Sequence, residues 1–303
     1  MTARTPAPDP ARVTIAPLAL HPPRILWPLA AELGEGPVWA DGALWLVDIK
    51  RRQVHRLDPA SGERRSWDSP EFVGFVLPRA GGGFVAGLKS GLHAFDPADG
   101  SFRPLIPVEP GLPDNRLNDA TVAPDGRLWF GTMDNLERQA SGRFYCANDG
   151  RADDAGLAPV TITNGPAFSP DGRTIYFVDT LGRTIHAADV ADGMASNPRL
   201  FATIDEGHPD GPTVDSEGCV WIALYGGWSA RRYSPSGELL GDVRFPVANI
   251  TKLAFGGVDL RTVFATTARQ GLSPEALARQ PDAGAVFAFE VGTPGLPAVP
   301  ASL

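Results

Sequence analysis

A chain of 303 residues can hold two ordinary domains or one large all-β domain, and 43% apolar content excludes wholesale disorder. A net charge of −8, with no basic cluster beyond Lys50, Arg51 and Arg52, excludes the electrostatic footprint of a nucleic-acid or anionic-membrane binder. The 34 Gly and 30 Pro favour short strands and many turns over helices.

In chain order, residues 1–22 read as a loose leader whose prolines interrupt any signal-peptide pattern. No apolar run is long enough to span a bilayer, so a cytoplasmic location is expected. "RILWPLAA" from Arg24 reads as a strand free to pair with the end of the chain. Six apolar cores follow: "WLVDI" from Trp45, "FVAGL" from Phe84, "WFGTM" from Trp129, "YFVDT" from Tyr176, "WIALY" from Trp221 and "FATTA" from Phe264. Their starts lie 39 to 47 residues apart, the period of a four-stranded propeller blade. Each core follows a short run and a turn ("GPAFS" then "PDGR", for example) and precedes a third alternating run such as "QVHRLDP" from Gln53 or "AVFAFEV" from Ala285. The expected fold is all-β: a six-bladed β-propeller of four-stranded antiparallel blades, one domain over residues 23–303, closed by the N-terminal strand. Cys146 and Cys219 fall in different repeats without metal-type spacing and read first as buried free thiols, with a disulfide left open.

Residues at one phase of a repeat lie at one height around the channel. Glu35 in "LGEGPVW", Asn118 in "RLNDATV", Asn164 in "TNGPAF" and Asp210 in "HPDGPTV" share a phase just before the first strand of their repeats. The Glu-Gly, Asn-Gly and Asp-Gly pairs among them each read alone as ordinary turn dipeptides. Together they gather oxygen donors at one mouth of the channel. Two carboxylates about 5 Å apart repel by roughly 3 kcal/mol at an effective dielectric of 20, and a divalent cation would neutralise them. The donors are hard oxygens, suited to Ca²⁺, Mg²⁺, Mn²⁺ or Fe²⁺, with Zn²⁺ also able to accept carboxylates.

"LGEGPVW", "RLNDATVAPDGRLWFGTM", "TNGPAFSPDGRTIYFVDT", "HPDGPTVDSEGCVWIALYGG" and "NITKLAFGG" resemble the motifs of the senescence marker protein (regucalcin), gluconolactonase and luciferin-regenerating enzyme family. The match runs from Leu33 to "TTARQGLS" and is nearest to the bacterial sugar lactonases such as xylonolactonase and arabinonolactonase. The resemblance implies one divalent metal ion on Glu35, Asn164 and Asp210, with Asp210 also the base, and substrate binding by Arg116 and Asn118. It implies hydrolysis of a pentono- or hexonolactone to the aldonic acid, with a small-molecule lactone as partner and a monomer or small homo-oligomer as the working form. Some members place a further substrate-contacting carboxylate a few residues after "GTM"; here "DNLER" from Asp134 offers no single match.

Two other readings stand beside this one: a calcium- or ligand-binding propeller without turnover, and a phosphotriester or aryl-ester hydrolase, which would favour an apolar pocket. His55, His93 and His186 share the third-run phase and read as packing or surface residues, while His208, two residues before Asp210, reads equally as a pocket-lining residue or as part of a strand-entry loop. The "GG" and "GGG" runs precede no helix and no Lys-Ser/Thr pair, which argues against a phosphate loop.

Overall fold

The computed structural model describes residues 18–303, so residues 1–17 of the expected leader lie outside the described residues. The chain is built almost wholly of antiparallel strands. Each of the six aromatic-led cores is the second strand of a sequential set, paired on one side with the strand before it and on the other with the strand after it. The first four sets form separate four-stranded sheets; the remaining eight strands form one sheet in which His208–Val214 meets Ile250–Gly256 through the single parallel pair Gly211 and Lys252. Arg24–Trp27 pairs antiparallel with Val286–Glu290, as expected from the sequence, and fills the outer place of the last set.

The aromatic leaders hold the sheets together because their side chains enter the gaps between neighbouring sheets. Trp129 and Trp221 are only 1% exposed, and Trp45 packs on Phe84 of the next repeat at 4.2 Å between ring centroids. Truncating such a buried indole costs about 3–5 kcal/mol. One core cluster unites Leu44, Leu46 and Leu57 of the first repeat with Phe264, Val286 and Ala288 of the last, so apolar packing joins the two ends of the chain. The inner strands run in a circuit: Gly34–Ala40 packs beside both Val73–Pro78 and Ile250–Gly256. Cys146 and Cys219 are buried and unbridged.

Every inner strand has a register shift near its start, for example between Glu35 and Val38, Asn164 and Ala167, and Pro209 and Pro212. An extra residue at such a bulge bends the strand and re-aims a side chain. Glu35, Asn118, Asn164 and Asp210 therefore lie inside strands, not in the loops before them as the turn-like spelling suggests.

Helix is confined, among the described residues, to Pro274–Arg279, in the long connection between Thr262–Thr267 and Val286–Glu290. Its start was legible: Ser273 caps Ala276 and Pro274 follows at the first helical position. A cavity of about 310 Å³ begins at the bulges, where Gly36, Ala120, Pro212 and Lys252 line it, and is walled further along by the inner strands and by the C-terminal residues Leu296, Pro297, Ala298 and Val299.

Candidate active site at one mouth of the channel

The residue after each phase-marked position explains how the site is floored. In four repeats that next residue is glycine: Gly36, Gly74, Gly165 and Gly211. In the other two it is Asp119 and Lys252, and their side chains meet in a buried ion pair. Glycine is required where Lys252 passes, since a Cβ on Gly211 would lie 2.5 Å from the Lys252 Cγ, and where the neighbouring backbone approaches, since one on Gly74 would lie 2.3 Å from the Asn118 carbonyl oxygen. Asp119 also accepts the Gly165 amide at 2.9 Å and the Ala120 amide at 2.8 Å, and Lys252 donates to the Ala120 carbonyl at 3.2 Å. Lys252 and Ala120 also line the cavity that begins at the bulges, so the pair stands between that cavity and the residues around Asn118.

On that floor stands a chain of hydrogen bonds. Asn164 donates from Nδ2 to the Thr180 hydroxyl at 2.9 Å, which turns its Oδ1 toward Asn118, whose Nδ2 donates to it at 3.1 Å and to the Thr163 carbonyl at 2.7 Å. The Asn118 Oδ1 accepts from Nη1 of Arg116 at 2.7 Å. Arg116 is 3% exposed, and its Nη1 and Nε are further bound by the Leu117 carbonyl and Asn135 Oδ1, while Nη2 has no partner among the described residues. A guanidinium so fixed keeps a free edge for a ligand. Its burial pulls its pKa down to about 10, against the opposing pull of Glu35, Glu137 and Asp210.

Glu35 and Asp210 complete the mouth. Glu35 accepts the Gly36 amide at 2.9 Å and has no side-chain cation bonded to it among the described residues. Burial, and after it the charge of Asp119, pushes its carboxyl up to about 8. Burial followed by Glu35 and then Asp119 raises Asp210 well above the usual carboxylate range. Both carboxylates thus resist ionising, chiefly through burial and with Asp119 adding to each, and Glu35 further opposes the charge of Asp210. The donor set fits a hard divalent cation: two buried carboxylates whose charge nearby Lys252 offsets only in part, and an amide oxygen held by its own nitrogen's bond to Thr180. Among the described residues no three His, Cys, Asp or Glu side chains gather as a metal cluster; the third donor here is the amide of Asn164.

Asp134 is buried, and its carboxylate accepts the amides of Leu136, Arg138 and Gln139, which fixes the loop instead of facing the pocket. The neighbouring Asn135 is the residue of that stretch that reaches Arg116. His208 bonds the Thr180 carbonyl at 3.2 Å, beside the same Thr180 whose hydroxyl holds Asn164. His55 and His93 are buried in packing, with His55 against Trp27 and Ser66; His186 stacks on Phe177. The sequence reading overlooked Asp119 and Lys252, although the loss of glycine at their phase in two repeats marks both.

Residues 33–269 match the SMP-30/Gluconolactonase/LRE-like region. The chain belongs to this family. A 6-deoxy-6-sulfogluconolactonase of Pseudomonas putida is 36% identical over 87% of this chain and 92% of its own length. An L-arabinolactonase of Azospirillum brasilense is 37% identical over 87% of this chain and 90% of its own. Among solved structures, a calcium-binding protein, regucalcin, from Agrobacterium tumefaciens superimposes with a TM-score of 0.90 at 29% identity, covering 95% of this chain and 98% of that one. The family's matched region includes all five residues singled out from the sequence: Glu35, Arg116, Asn118, Asn164 and Asp210.

One consequence concerns pH. A carboxyl raised from 4.5 to about 8 in the folded chain contributes stability that is whole below pH 4.5 and is lost as pH rises through about 8. In chelator, thermal unfolding is expected to move down between pH 5 and pH 9, and Glu35→Gln should flatten that slope. At about 1.5–2 °C per kcal/mol for a chain of this length the change is measurable by calorimetry. An equal slope in wild type and Glu35→Gln would remove Glu35 as its source.

Proposed function

We propose that this protein is a metal-dependent sugar lactonase, a hydrolase of the cyclic ester of an aldonic acid. The names of the Pseudomonas and Azospirillum relatives support the reaction class, and the mouth supports the assignment of roles. We read the eight-stranded sheet as two blades joined at Gly211 and Lys252, which makes residues 23–303 one six-bladed propeller domain. The observation that carries the reading is a pair of buried carboxylates, both pushed toward the neutral form, beside a fixed Arg116–Asn118–Asn164 chain.

Glu35, Asn164 and Asp210 would hold a divalent cation, which when bound supplies Lewis acidity toward the lactone carbonyl. Asp210 accepts a proton from the attacking water as its oxygen bonds to the carbonyl carbon. The bond from that carbon to the ring oxygen then breaks, and the ring oxygen takes up a proton to become a hydroxyl. The product is an open aldonate with one net proton released to solvent. Arg116 and Asn118 orient the substrate through its hydroxyls, as the free Nη2 of Arg116 allows. A cytoplasmic setting suits two unbridged buried thiols.

The test is proton release at constant pH on a panel of pentono- and hexonolactones. We expect catalysed release that chelator abolishes and one of Fe²⁺, Mn²⁺, Zn²⁺, Ca²⁺ or Mg²⁺ restores. Release no faster than spontaneous hydrolysis with every metal and lactone would leave a calcium-binding propeller, the reading favoured by the name of the Agrobacterium protein.

A further inference from the structure

Beyond Arg116 the hydrogen-bonded chain continues outward to a second cation. Lys50 stands in the connection between Ala43–Asp48 and Gln53–Leu57, which opens at the same mouth. Its Nζ donates to Asn135 Oδ1 at 3.2 Å, the oxygen that also accepts from Nε of Arg116 at 3.1 Å. Its ammonium lies 5.5 Å from the centre of the Phe72 ring, and its stem is half-buried. Two cations therefore share one neutral acceptor. Neither Lys50 nor Arg116 takes part in an ion pair among the described residues. Burial, and after it the charge of Arg116, lowers the pKa of Lys50, while Glu137 and Glu32 counter this only from a distance. Neither cation is bonded to a carboxylate of the protein, and both stand in a partly desolvated corner where an anion would be bound by charge-assisted hydrogen bonds.

Resting on the lactonase reading, we propose that Lys50 and Arg116 recognise an anionic substituent on the lactone, a carboxylate, sulfonate or phosphate at the end remote from the carbonyl. The order of the chain sets the pose: the carbonyl faces Glu35 and Asp210, the hydroxyls face Asn118 and Arg116, and the anion lies against Lys50. A site built with unneutralised donors discriminates against a substrate that leaves them unpaired. The preferred substrate is thus an acidic sugar lactone, and Lys50 is a specificity-determining residue.

The test compares D-glucono-1,5-lactone with its analogues carrying phosphate, sulfonate or carboxylate at C6, using the metal-loaded protein and proton release. For at least one anionic analogue, kcat/KM is expected to exceed that of the neutral lactone about tenfold or more. Lys50→Met should lower this anionic-to-neutral ratio at least about tenfold, whereas Lys50→Arg should keep most of it. The three analogues show which anion the corner accepts. A neutral lactone preferred over all three, or a ratio that Lys50→Met leaves in place, overturns the proposal while the lactonase reading stands. Turnover of none of the four overturns both.

Discussion

Asp210→Asn is expected to lower kcat for lactone opening about 10²- to 10⁴-fold, the range associated with loss of a general base, with thermal stability kept or raised. The two halves of this result have one cause. Asp210 is buried against Glu35 and Asp119, so its charge is costly in the cation-free fold. An amide of the same shape removes that cost and removes the base with it. Weakened metal binding adds to the loss, since an amide oxygen is a poorer ligand than a carboxylate. Activity and unfolding temperature should therefore move in opposite directions, a pattern that simple misfolding cannot produce. Turnover close to wild type, measured by proton release at saturating metal, would take Asp210 out of the mechanism.

Lys252→Met is expected to destabilise the protein by about 3–5 kcal/mol, because it leaves the Asp119 charge buried without its partner. In a chain this long that corresponds to roughly 5–10 °C in unfolding temperature. The second variant, Asp119→Asn in the Lys252→Met background, removes the stranded charge and keeps an acceptor for the Gly165 and Ala120 amides, so it should recover most of the loss. A double variant no more stable than Lys252→Met alone would show that the ion pair is not what holds the floor. The single variant is also expected to weaken catalysis, since Lys252 offsets the carboxylates of both Glu35 and Asp210.

Much of this architecture was legible because the repeat is local in sequence. Each aromatic core, its preceding turn and its following run lie within one unit, so period and alternation were enough to place the second and third strands. The shared phase of Glu35, Asn118, Asn164 and Asp210 was likewise visible, because a circular repeat converts equal spacing into equal height. Their true setting inside bulged strands was not, since Glu-Gly, Asn-Gly and Asp-Gly spell a turn equally well. The pairs that cross the ring left fainter traces. Lys252 and Asp119 stand 133 residues apart and Lys50 and Asn135 85 apart, and no local pattern ties either pair. What the sequence does show is where the glycine of the phase is missing, at Asp119 and Lys252. Side chains large enough to cross a narrow channel need glycine opposite them, and Gly211 supplies it for Lys252. The helix Pro274–Arg279 was passed over because it is short and sits in a β context, despite the Ser-Pro-Glu start that announces it.

Crystals grown with calcium or manganese offer the most direct examination of the proposed centre. The expected anomalous difference map has one strong peak, with carboxylate oxygens of Glu35 and Asp210 and the amide oxygen of Asn164 all within about 2.0–2.6 Å of it. A peak elsewhere, or one that leaves any of the three oxygens outside the coordination sphere, would contradict the assignment.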